Sequence, residues 1–120
     1  TRSRMSTKNT SDIILRVTLD ANKVPEKIHW DATDNQVVGK EAKSMMLSVW
    51  DPTEDNTLRV DLWTKEMVVD DMKKFIHQSL LLMADTLQRS TGEIAMAETM
   101  RDFGAYYAEK LGLITPEEKP

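Results

Sequence analysis

Cysteine is missing from all 120 residues of this chain. Its absence excludes disulfides, thiolate nucleophiles and cysteine-based zinc or iron–sulfur sites. It fits a reducing compartment. Glycine occurs only four times, scattered at positions 39, 92, 104 and 112, so no glycine-rich loop cradles a phosphate. Histidine occurs twice, as His29 and His77, and neither has a partner at metal-ligand spacing. Ser79 and Ser90 lack a nucleophile-elbow context. An excess of positive charge is also lacking. The formal charge is −4, which gives no electrostatic footprint for nucleic acid or for an anionic membrane surface. No apolar run approaches a membrane span, and the opening TRSRMSTKNTSD has no apolar signal region. A cytoplasmic protein without membrane insertion is expected. Met5 follows Thr-Arg-Ser-Arg, so residues 1–4 are expected to be an expression remnant and stay outside the functional reading.

What is present suits a globular domain: 40% hydrophobic and 30% charged residues. Residues 1–11 are polar and read as a flexible terminus, 12–114 as a single α+β domain, and 115–120 as a polar tail. In DIILRVTLD, Ile13, Leu15, Val17 and Leu19 alternate with Ile14, Arg16 and Thr18, the period of a half-buried strand. VPEKIHWD repeats that period with Ile28 and Trp30 on one face, and Pro25 belongs at the strand's start or on an edge. The polar stretch 33–43 reads as a loop. SMMLSVWD then places Met45, Leu47 and Val49 together, and TLRVDLWT places Leu58, Val60 and Leu62 together. These are the expected core sets. Beyond Trp63 the period becomes helical: Met72, Phe75, Ile76, Leu80, Met83 and Leu87, then Ile94, Ala97, Met100, Phe103, Tyr107 and Leu111. Asp70 and Asp71 suit the first helix's start, and Gly92 and Gly112 suit the two helix ends. The expectation is a four-stranded antiparallel sheet followed by two C-terminal helices, ββββαα, with the helices on one sheet face.

The second sheet face is then not wholly polar. Ile14, Met46, Trp50 and Trp63 project opposite to the main apolar sets, and Met67 follows just after the last strand. Several apolar residues on one sheet face mark a contact surface. These five residues are the candidate interaction surface, for protein partners and for self-association. Four of the eight methionines, Met72, Met83, Met96 and Met100, fall in the helices, where packing is their expected role.

Two stretches read alike, IHWDATDN (28–35) and VWDPTEDN (49–56). Their carboxylates invite a metal-site reading, but a calcium loop needs alternate oxygen ligands, a sharp-turn glycine and a closing bidentate Glu. None of these is present, and turn chemistry used twice explains both stretches, with Asp accepting local backbone hydrogen bonds. No catalytic, cofactor-binding or metal-binding residue is assigned. The protein is expected not to be an enzyme, and a metal- or ligand-binding domain built on the acidic loops is the least favoured alternative.

VPEKIHWDATD, LSVWD, LRVDLWTKEMVVDDMKKF, ADTLQRSTGE and MAETM together resemble the gliding motility protein GldC family. The resemblance covers most of the chain, from about Ile13 into the second helix. It departs near Gly39, at Pro52–Asn56 and at both ends. It implies a small, non-enzymatic cytoplasmic accessory factor of bacterial surface gliding, with no catalytic residues to carry over. The ββββαα element order is also that of the SecB-type export chaperone. That analogy rests on order alone, and it suggests a chaperone-like holder of unfolded or exported polypeptide as the alternative function.

Overall fold

A computed structural model describes residues 9–114. The expected C-terminal tail, and residues 1–8 of the expected flexible N-terminus, lie outside the described residues. The elements are β1 (Ile13–Leu19), β2 (Pro25–Ala32), β3 (Val37–Ala42), β4 (Ser44–Asp51), β5 (Asn56–Trp63), α1 (Val69–Thr91) and α2 (Ile94–Lys110). The class is α+β, as expected, but there are five strands and two antiparallel sheets, β1-β2-β3 and β4-β5. The expected order ββββαα, and with it the SecB-like order, gives way to βββββαα. The chain divides into two compact units between Met67 and Val68.

The strand that sequence periodicity misses is β3, which lies inside the expected loop. Its ladder to β2 pairs Trp30 with Lys40 and Ala32 with Val37, so three steps on β3 oppose two on β2. The extra residue is a bulge at Val38–Gly39, with Gly39 left-handed at φ +57°. Val37 and Ala42 therefore share a face although they are an odd number of positions apart, and alternation is destroyed. The Asp31 carboxylate accepts the Gly39 N–H and pairs with Arg16 at 3.0 Å, which holds the bulge to the neighbouring strands.

β1 and β2 meet in register, Leu15 opposite Trp30 and Val17 opposite Ile28, with an irregularity at Leu19–Pro25 where Pro25 opens β2. One face thus carries Ile13, Leu15 and Val17 beside Ile28, Trp30 and Ala32. Ile28 and Ala32 are buried and Trp30 is half-buried. The turn after β1 is closed by Asp20, whose carboxylate accepts the N–H groups of Asn22 and Val24 at 2.8 and 3.0 Å. The same carboxylate forms an ion pair with Lys65, so the segment after β5 is tied to the β1–β2 turn. Asp20 is held down to about 2, first by the Lys65 ammonium and then by the Val24 N–H.

Lys43 alone separates β3 from β4, and its carbonyl accepts the Thr64 N–H at 2.9 Å. The β4–β5 hairpin is anchored at this end, where Ser44 Oγ also donates to Leu62 O. Burial fades along the hairpin: Ser44–Met46 and Leu62 are half-buried and Thr64 is buried, whereas 47–50 and 56–61 are exposed.

The second unit is an αα-hairpin. Asp70 and Asp71 occupy the first turn of α1, Arg89 its last, and Gly92 (φ 79°) caps it by donating to Gln88 O. Gly112 (φ 74°) follows α2, and Leu113 N–H reaches back to Ala108 O. The seam is built from small residues: Ala84 on α1, and Ala97, Gly104 and Ala108 on α2, are all buried. A methyl group on Gly104 would lie 2.7 Å from Leu81 Cδ2, so the helices approach closely there. Arg101 donates to Asp85, Gln88 and Glu98 on one side of the seam. On the other side, Tyr107 stacks on His77 with centroids 6.0 Å apart, and its hydroxyl donates to Lys73 O.

Candidate interaction face

The pairing Met46–Asp61, Ser48–Arg59, Trp50–Thr57 and Ser44–Trp63 puts Met46, Trp50 and Trp63 on one face of the β4–β5 hairpin. Three of the five candidate residues therefore share a surface. They do not form a single cluster. Trp63 stands at the anchored end and Trp50 near the tip, six positions apart along β4, or roughly 20 Å. Between them Arg59 binds Asp61 at 2.8 Å and donates to the Met46 sulfur at 3.1 Å. Trp50 is 60% and Trp63 57% exposed, and Met46 is half-buried. Trp63 also lines a shallow groove of about 280 Å³ with Val24, Pro25, Asp61 and Leu62. Ile14 is exposed on the three-stranded sheet, opposite Asp31, and Met67 is half-buried in the turn where its N–H bonds Thr64 O.

The other face of the hairpin departs from expectation. Leu47 opposes Val60 and Val49 opposes Leu58, so the apolar alternation is intact. These four side chains, expected in the core, are 41–51% exposed. Only Ile28 is both large and fully buried among the described residues. Alternation reports that a strand has an apolar face. It carries no signal of whether that face meets the same chain or another one.

The αα-hairpin repeats the theme. At 100° per residue, Val69, Met72, Ile76 and Met83 of α1 and Met96, Met100 and Phe103 of α2 lie on the Tyr107 side of the seam, away from the Arg101 cluster. Val69, Ile76, Met83, Met96 and Phe103 are exposed.

The two Trp-Asp stretches do different work. Asp51 accepts the Thr53 N–H at 2.9 Å, a local turn as expected. Asp31 instead reaches the Gly39 bulge and Arg16. Arg16, together with the Gly39 N–H that contributes most, holds its carboxyl below the usual range. Among the described residues no group of three or more His, Asp or Glu side chains is placed to hold a metal ion. No helix among them is long and apolar enough to cross a membrane.

The described residues form a five-strand, two-helix α+β protein that exposes paired apolar strand positions and two tryptophans. The family comparison agrees with the likeness read from the residues. Residues 25–113 match the family described as gliding motility-associated protein GldC-like, and the chain belongs to that family. No curated protein and no solved structure matches it.

Proposed function

We propose that the protein is a non-enzymatic, cytoplasmic accessory factor of the gliding-motility class that acts as an oligomer through protein–protein contacts. The observation that carries this reading is the exposure of paired apolar side chains, Leu47–Val60 and Val49–Leu58, on one face of the hairpin and of Trp50 and Trp63 on the other. Family membership supplies the gliding context. Large exposed aromatics are typical anchors of protein interfaces. Full-length protein is captured from gliding cells by cross-linking, with Trp63 and Trp50 intact or replaced by alanine. A defined set of motility proteins recovered only with the intact tryptophans is expected. Equal recovery by both forms would overturn the reading.

The helical methionine face supports a second function, holding unfolded or exported polypeptide. Met83 and Met96 are exposed there, and methionine adapts to varied apolar partners. Suppression of aggregation of a reduced, unfolded client at stoichiometric protein is its expected signature, and no suppression across several clients removes it.

A further inference from the structure

Each sheet has two outer strands, and three of the four are protected against pairing with another chain. β1 carries Arg16, β3 carries Lys40, Glu41 and the Gly39 bulge, and β5 carries Arg59 and Asp61. Charges and bulges of this kind are how sheet edges are kept from adding strands. β4 has no bulge, and its only charge is Asp51 at its last position. Ser44–Trp50 contains no charge, no proline and no glycine, and the register with β5 runs unbroken over the whole strand. Among the described residues β4 forms a ladder only with β5.

We infer that β4 pairs antiparallel with β4 of a second copy across a two-fold axis at Ser48, joining two hairpins into one four-stranded sheet. This deepens the oligomer reading above by naming the surface and the partner. Three observations select a second copy. A two-stranded sheet is marginal in water, and adding strands to a shared apolar face stabilises it. An edge related to itself by a two-fold axis is automatically complementary. The parity also works. An axis at Ser48 sets Leu47 against Val49 of the partner copy on the apolar face. On the other face it sets Met46 against Trp50, a sulfur–aromatic pairing. A register shifted by one residue would set apolar against polar positions. The axial pairing merges Leu47, Val49, Leu58 and Val60 of both copies into one continuous face.

The chain has no cysteine, so a single introduced thiol reports the axis cleanly. Full-length Ser48→Cys is expected to give a disulfide-linked dimer on mild oxidation, because directly opposed side chains lie within reach. Thr57→Cys, on the exposed outer strand of the same hairpin, is expected to link at least tenfold more slowly. Ser48→Glu provides the second arm. Within its own hairpin the new carboxylate faces Arg59, so the fold is kept; across the axis two carboxylates meet, and dimer dissociation should rise at least tenfold by analytical ultracentrifugation. A strict monomer at high concentration overturns the inference. So does cross-linking at Ser48→Cys no faster than at Thr57→Cys, or an unchanged dissociation constant for Ser48→Glu. Tryptophan-dependent partner capture without Ser48→Cys cross-linking sinks the strand pairing alone. Cross-linking without such capture sinks the accessory-factor reading alone.

Discussion

At the scale of single residues, Asp20 has the clearest electrostatic signature. Its carboxyl is lowered from an ordinary 3.8 to about 2 by Lys65 and by two backbone N–H groups of its turn. A folded value below the unfolded one means that the carboxylate stabilises the fold fully above about pH 4. The contribution fades as pH falls towards 2, because the unfolded chain takes up the proton first. Urea midpoints measured from pH 6 to pH 2 should therefore decline steeply in the lowest two units. Asp20→Asn should be less stable at pH 6 and show a shallower decline. Parallel curves for the two proteins would remove Asp20 from the acid response. The two Trp-Asp stretches show how far single residues are legible. Asp51 was readable because its acceptor role is local, within two residues. Asp31 was not, because its partners Gly39 and Arg16 are distant in sequence and only the sheet brings them together.

Among elements, the two helices and four of the strands were legible, because each carries an uninterrupted period of 3.6 or 2. β3 was hidden by its bulge, and this has a testable consequence. Nothing lies within 4 Å of a methyl group added at Gly39, yet its φ is +57°. Gly39→Ala should therefore cost about 1–2 kcal/mol of unfolding free energy from backbone conformation alone. Gly39→Asn, which tolerates that region better, should cost less. Equal stability of all three proteins would mean that β3 forms without the left-handed residue. Gly104 presents the opposite case. Its backbone is ordinary and its surroundings are tight. Alanine gains about 1 kcal/mol of helix propensity over glycine. The Leu81 side chain must shift to admit the new methyl, so Gly104→Ala should be close to neutral. Gly104→Leu cannot be absorbed that way and should cost about 1–3 kcal/mol or more by overpacking the seam. A neutral Gly104→Leu in thermal melts would show that α1 and α2 do not depend on this close approach.

For the whole molecule, stability has to be accounted for with one large, fully buried side chain among the described residues. Burying a valine or leucine side chain is worth about 1.5–3 kcal/mol. The half-exposed Leu47, Val49, Leu58 and Val60 realise only part of that within one copy. Association between copies makes stability concentration-dependent, since a partner that binds only the folded state shifts the unfolding equilibrium by mass action. The midpoint of thermal unfolding should therefore rise with protein concentration. Trp63 separates the two contributions. A core tryptophan truncated to alanine costs about 3–5 kcal/mol. At 57% exposure, Trp63→Ala should cost about 0.5 kcal/mol or less when measured under dilute, dissociated conditions. A hot-spot tryptophan contributes about 2 kcal/mol or more to the interface it anchors. If Trp63 anchors a contact between copies, Trp63→Ala should flatten the concentration dependence. If it serves only an external partner, the variant should keep the dependence and lose capture. A large stability loss at every concentration, with assembly and capture unchanged, would place Trp63 in the packing of the chain itself and remove it from the interaction face.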